Sequence, residues 1–146
     1  MIDLHTHTLP DFDDGSASTE ESFNMCRIAR NDGINTLVAT PHTLNGMYIQ
    51  DGYRIKQEVE KLNELLKKEG IDVEVIPGSD IRISFNLLVQ LKQGKALTIN
   101  DNQAYLMIEF PGHFLFPSVK GLVVELLRRG LILIISHPER YPQVPQ

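Results

Sequence analysis

Short apolar runs alternate with amphipathic stretches along this chain. The runs at 1–5, 35–40, 73–77, 104–109 and 131–136 are near-continuous rather than alternating. That pattern suits parallel strands covered on both faces. Four helical patterns lie between them. Ser18-Thr-Glu-Glu21 reads as a capping box that opens a helix to about Asn31, with Gly33 as its stop. Ile55, Val59, Leu62 and Leu66 recur at helical spacing in a longer helix that starts near Asp51 and ends at Gly70. A third helix is expected from about 84 to 93. A fourth carries Val119, Leu122, Val123, Leu126 and Leu127 up to Gly130.

The resulting order, β-α-β-α-β-α-β-α-β, predicts an α/β fold with a parallel sheet and right-handed crossovers. With 146 residues, no repeat and no break in composition, the chain reads as a single domain, 1–146. A closed (β/α)8 barrel takes about 250 residues. Two architectures therefore stay open: a doubly wound sheet and part of a barrel.

Composition narrows the setting. The chain is 42% hydrophobic and 23% charged, which suits a globular domain. Its longest unbroken apolar run, Leu131 to Ile135, is far short of the ~20 residues of a membrane span. The first residues lack the basic and apolar regions of a signal peptide. A lone cysteine, Cys26, cannot form an internal disulfide and reads as a small buried apolar residue. A cytoplasmic protein without membrane insertion is expected. Net charge is −5 and the basic residues are scattered, which argues against nucleic acid as a partner.

Chemistry concentrates where the strands end. His5 and His7 close the first strand, His42 follows the second and His137 the fifth. The third and fourth supply carboxylates instead, Asp80 and Glu109. In parallel α/β folds the carboxyl ends of the strands form the active face, so every strand brings a metal-ligand residue type to one rim. In His5-Thr6-His7, side chains two apart on a strand point to the same side and can reach one ion. Imidazoles with carboxylates suit Mn, Fe or Zn. Asp14 is a further candidate ligand, while Asp11 and Asp13 read as turn or surface residues beside Gly15. His113 lies in a loop past the fourth strand and reads as a lid or substrate-side group rather than a ligand. Arg140 sits three residues after His137, where its guanidinium can clamp phosphate oxygens.

These residues carry a resemblance. Ile2-Asp-Leu-His-Thr-His-Thr-Leu-Pro10, Asp13-Asp-Gly15 and Ala39-Thr-Pro-His42 resemble the PHP (polymerase and histidinol phosphatase) family. Pro77-Gly-Ser-Asp-Ile-Arg-Ile83, Leu97-Thr-Ile-Asn-Asp101, Ile108-Glu-Phe-Pro111 and Ser136-His-Pro-Glu-Arg140 are similar to one branch. That branch is the bacterial manganese-dependent protein-tyrosine phosphatases of capsule and exopolysaccharide operons. The resemblance implies a partial, distorted (β/α)7-8 TIM-like (PHP) barrel and a centre of up to three Mn2+ ions. His5 and His7 would hold the first metal, with Asp80 bridging where the family uses Glu. Glu109 and His137 would complete the second site, and Asp14 with His42 the third. A metal-bridging hydroxide would attack phosphorus in line, with Arg140 as the catalytic and substrate-binding cation. The implied substrate is phosphotyrosine in a bacterial tyrosine kinase of exopolysaccharide synthesis. A histidinol-phosphate-like small molecule, or a catalytically impaired remnant, is the alternative.

Two departures from the family pattern stand out. Asp80 is one methylene shorter than the usual Glu. The family's late Asp-x-His has no counterpart after His137, so the expectation is the N-terminal portion of the barrel, truncated after strand five. Open edges near Leu4 and Ile134 would then favour association of copies and marginal stability.

Overall fold

The apolar runs form parallel strands in a computed structural model that describes residues 1–43, 45–48, 50–110 and 117–141. The chain runs β1 (Ile2–Thr6), α1 (Thr19–Asn31), β2 (Thr36–Ala39), β3 (His42–Thr43), α2 (Gly52–Lys68) and β4 (Glu74–Pro77). It continues through β5 (Asp80–Arg82), α3 (Leu87–Lys92), β6 (Tyr105–Glu109), α4 (Val119–Arg128) and β7 (Ile132–Ile135). Short 3-10 turns cover Ile99–Asp101 and Pro138–Arg140.

Ser18 caps α1 by accepting from the Glu21 amide, and Asp51 caps α2 by accepting from that of Arg54. The capping-box Glu21 bonds the Ala17 amide at 2.8 Å, one residue earlier than in the usual reciprocal box. Asn86, ahead of α3, makes no side-chain cap bond, and α3 is shorter than its apolar pattern suggested.

Five expected strands become seven because two are broken. The second run stops at Ala39 and resumes at His42, and the third stops at Pro77 and resumes at Asp80. Pro41 has no amide hydrogen to give a neighbour. Single bonds carry the pairing past each break, from Thr40 N to Thr6 O at 2.8 Å and from Asp80 N to Pro41 O at 3.1 Å. Below the breaks the strands pair as β1-β2-β4, and above them as β3-β5-β6-β7, every pair parallel.

Counting each broken strand once, spatial order follows chain order without a reversal. A doubly wound sheet reverses its order at a switch point, so that alternative is removed. Among the described residues no pairing joins β7 to β1, and no closed barrel forms.

Two apolar clusters support this sheet. One joins Leu37 and Val75 to Phe23 and Cys26 of α1 and to Ile55, Val59 and Leu62 of α2. The other packs Ile81, Leu106 and Ile108 against Leu87 of α3 and Leu126 of α4. The outer strands are less covered. Ile2 and Leu4 on β1 are exposed, as are Ile132 and Ile135 on β7.

Candidate metal centre

The strand breaks place the chemistry. Because β3 and β5 restart together, His42 becomes the register partner of Asp80, and their Nδ1 and Oδ2 atoms lie 3.5 Å apart. Asp80 is buried at 1% exposure. Its Oδ1 accepts a 2.9 Å hydrogen bond from Ser136 Oγ next to β7.

His5 is oriented by its neighbours. Thr40 Oγ1 bonds the Thr6 carbonyl at 3.3 Å and lies 3.0 Å from His5 Nδ1. With the threonine proton so directed, Nδ1–H donates to the hydroxyl and Nε2 carries the free lone pair. His7 is held through a carboxylate, its Nδ1 lying 2.6 Å from Asp13 Oδ2. Asp13 also accepts from the backbone amides of His42 at 2.8 Å and Gly15 at 3.0 Å. The loop that carries Asp13 folds tightly back on β1, with Ser16 N bonded to His7 O at 3.0 Å. A Cβ on Gly15 would lie 2.3 Å from both the Cβ and the carbonyl oxygen of His7. Only glycine fits that approach.

Among the described residues ligand-type atoms converge in three groups, each within 4.8 Å: His5, His7 and Asp80; His7, Asp14 and His42; His42, Asp80 and Glu109. The shared members make one continuous cluster. Three buried atoms in it, His5 Nε2, Asp80 Oδ2 and Glu109 Oε2, have no hydrogen-bond partner among the described residues. Buried lone pairs on three strands, two of them on carboxylates, are costly unless a hydrogen bond or a metal ion meets them. Arg82, at 3.6 Å from Glu109 Oε2, and His42, at 3.5 Å from Asp80 Oδ2, stop short of hydrogen-bonding them. With imidazole and carboxylate donors together, the set fits divalent metals.

The protonation balance has the same origin. Burial lowers the pKa of His5, reinforced by His7, His137 and His42 and only partly offset by Asp80. For His7 burial also acts downward, but the hydrogen bond to Asp13 and the charges of Asp13, Asp14 and Asp80 outweigh it, and the pKa rises. Asp13 is lowered. Burial works against ionisation there, and bonds from His7, His42 N and Gly15 N overcome it.

Other sequence candidates fall differently. The His137 ring lies 5.1 Å from that of His5, but His137 is in none of the three groups and its Nδ1 is 3.3 Å from Glu139 Oε1. Arg140 is exposed, and its Nε is 4.0 Å from Glu139 Oε1. It lines a cavity of about 630 Å³ together with Asp14, His42, Arg82 and Glu109. His113 lies outside the described residues.

The whole chain, residues 1–146, matches the family described as "Capsular polysaccharide synthesis, CpsB/CapC". The chain belongs to that family. Tyrosine-protein phosphatase YwqE of Bacillus subtilis (strain 168) is 38% identical over 144 residues, covering 99% of this chain and 56% of the relative. Tyrosine-protein phosphatase CpsB of Streptococcus pneumoniae is 30% identical over 141 residues, covering 97% and 58%. A solved structure from work on YwqE and CpsB as metal-dependent tyrosine phosphatases superposes with a TM-score of 0.90 at 38% identity. It matches over 97% of this chain and 57% of that one. The chain thus spans little more than half the length of these relatives. The capsule-synthesis branch expected from the motifs is the one found.

Sequence reasoning missed two members of the site. Asp13, read as a turn or surface residue, has a fully buried side chain that orients His7 and binds the His42 amide. A carboxylate six residues after a ligand-type histidine was the available signal, since such histidines bond a carboxylate through their second nitrogen. Arg82 was quoted only within a motif. Its position on the strand after Asp80 brings its Nε to 3.6 Å from Glu109 Oε2.

Proposed function

We propose that this chain carries the metal centre of a phosphoesterase that hydrolyses phosphotyrosine in protein. One observation carries the reading. Buried, hydrogen-bond-free ligand atoms of His5, Asp80 and Glu109 belong to a single cluster that opens beside two arginines. The activity named for the YwqE and CpsB relatives supports it.

His5, His7, Asp14, His42, Asp80 and Glu109 would hold the ions, with His137 at the periphery. We propose manganese as the metal. Such ions, when bound, acidify water towards neutral pH and neutralise phosphoryl charge. The chain's own groups do the rest. Asp13 fixes the ring of His7, and Thr40 fixes that of His5. Arg140, with Arg82 on the same cavity, offers guanidinium donors matched to phosphoryl oxygens, and these strengthen as charge develops. Hydrolysis places a water oxygen on phosphorus, breaks the bond from phosphorus to the phenolic oxygen, and returns a proton to the tyrosine. Cys26 is fully buried on the core face of α1 and makes no covalent intermediate.

Strands in chain order favour the four βα units and the final strand as consecutive parts of one PHP-like barrel domain. The family's place in capsular polysaccharide synthesis favours a tyrosine kinase of exopolysaccharide synthesis as substrate, in the cytoplasm. Among the described residues no helix is long and apolar enough to cross a membrane.

The test is manganese-dependent hydrolysis of an aryl phosphate with His7→Ala as control, and histidinol phosphate as competitor. Hydrolysis that disappears in the control supports the reading. Preference for histidinol phosphate over a phosphotyrosyl peptide would move it to a small-molecule phosphatase, and metal binding without hydrolysis to a remnant.

A further inference from the structure

The cavity beside the metal cluster has an uneven lining. Asp14, His42, Arg82, Glu109 and Arg140 make one part of it charged or polar, and the loop after β3 makes the other. Of the described lining residues in that loop, Asn45 is polar and Gly46 has no side chain. Among the described residues of the lining, large apolar surface in that loop comes from Met47 and Tyr48.

Residues 45–48 are held by local bonds. Asn45 Oδ1 accepts from the amides of Met47 at 3.0 Å and Tyr48 at 2.9 Å. Gly46 has φ of +91°, a conformation that glycine adopts without strain. The Tyr48 ring stacks on His42 with centroids 5.9 Å apart and planes 14° from parallel. Met47 is 78% exposed, an apolar side chain held at the mouth of a charged cavity.

We propose that Met47 and Tyr48 are the specificity-determining residues that accept the aromatic ring of an aryl phosphate. The inference rests on the phosphatase reading and refines it. An aryl phosphate ester differs from an alkyl one by a planar apolar ring next to the anionic head. Arg82, Arg140 and the metal-ligand cluster act on the head, which is common to both classes. The thioether of Met47 and the ring of Tyr48 meet the aryl group through sulfur–aromatic and ring–ring contacts. Selection between phosphotyrosine and phosphoserine then resides in this loop, not in the metal cluster. Because Asn45 already bonds the backbone amides of Met47 and Tyr48, little ordering cost opposes the contact.

Binding of two non-hydrolysable anions tests the proposal. Phenylphosphonate and methylphosphonate carry the same head and differ in the ring. Titration calorimetry of the manganese-loaded protein should show phenylphosphonate bound roughly three- to tenfold more tightly. Met47→Ala should remove most of that preference with methylphosphonate affinity kept, and Met47→Leu, which restores apolar surface, should recover it. Equal binding of the two by the wild type would overturn the inference, as would a preference that survives Met47→Ala. Loss of methylphosphonate binding in Met47→Ala would show a structural role and overturn it too. If the wild type binds neither anion, the phosphate site itself fails, and the inference fails with it.

Discussion

Asp13 governs the site without being one of its ligand candidates. By holding the His7 ring at Nδ1 and the backbone amide of His42 it ties two ligand-type residues to one buried carboxylate. Asp13→Asn should weaken manganese binding by about 10- to 100-fold, measured by calorimetry, as for other carboxylates behind metal-ligating histidines. With metal removed by a chelator, the pair also has a pH signature. The raised pKa of His7 gives stability that is full below about pH 6.5 and lost as pH climbs through its folded value. The lowered pKa of Asp13 gives stability that is full above about pH 4 and lost as pH falls through its folded value. The stability gap between wild type and Asp13→Asn should be largest between about pH 4 and 6.5. Urea midpoints at pH 5 and pH 9 check this, and a gap that widens at pH 9 would contradict it. Burial, the largest cause of the lowered His5 value, acts in both proteins, so that part of its opposite contribution cancels in the comparison. Cys26 has a simpler signature. Burial pushes its thiol up to about 11, and the side chain is inaccessible. A thiol reagent at pH 8 should modify it only as fast as the chain unfolds.

At the scale of elements, the loop between β1 and α1 and the cap of α1 separate function from stability. Gly15→Ala would drive a methyl into the backbone and Cβ of His7. It should cost roughly 1–3 kcal/mol by overpacking and weaken metal binding, because the loop carrying Asp13 must move. Ser18→Ala removes the bond to the Glu21 amide, 3.2 Å long. It should cost about 1 kcal/mol and leave metal affinity intact. Thermal melts paired with metal titration would distinguish the two, and equal metal affinities in both variants would contradict the role given to Gly15.

For the molecule as a whole, the open edges dominate. Among the described residues β1 and β7 each have one strand neighbour, and Ile2, Leu4, Ile132 and Ile135 on them are exposed. Unpaired backbone groups flanked by apolar side chains template further pairing. The 146-residue chain should therefore sediment with a mass that rises with concentration. Ile132→Lys should weaken that association on the order of tenfold by placing charge on the β7 edge. A sharp, concentration-independent melt of a monomer would contradict the expectation.

Helix and strand positions were legible because periodicity and caps are local. The pattern Ile55, Val59, Leu62 and Leu66 faces the core as its spacing requires, and Ser18 and Asp51 cap as short polar residues do. The rim of histidines and carboxylates was legible for a related reason, since parallel topology sends strand ends to one face. What the one-dimensional pattern left undecided was pairing. The breaks at Pro41 and Gly78 interrupt runs that read as continuous, and only sheet register shows that they set His42 opposite Asp80. The choice between a doubly wound sheet and barrel-type order was likewise a matter of which strands neighbour which. Asp13 beside Asp14 is the sharpest instance. Two adjacent carboxylates have the same local character, yet a tight return of the chain at Gly15 buries one side chain completely and leaves the other 65% exposed. Sequence determined which residue types reach the rim, because that follows from local structure. Tertiary structure decided which of them touch, because contacts between distant segments depend on register and close packing.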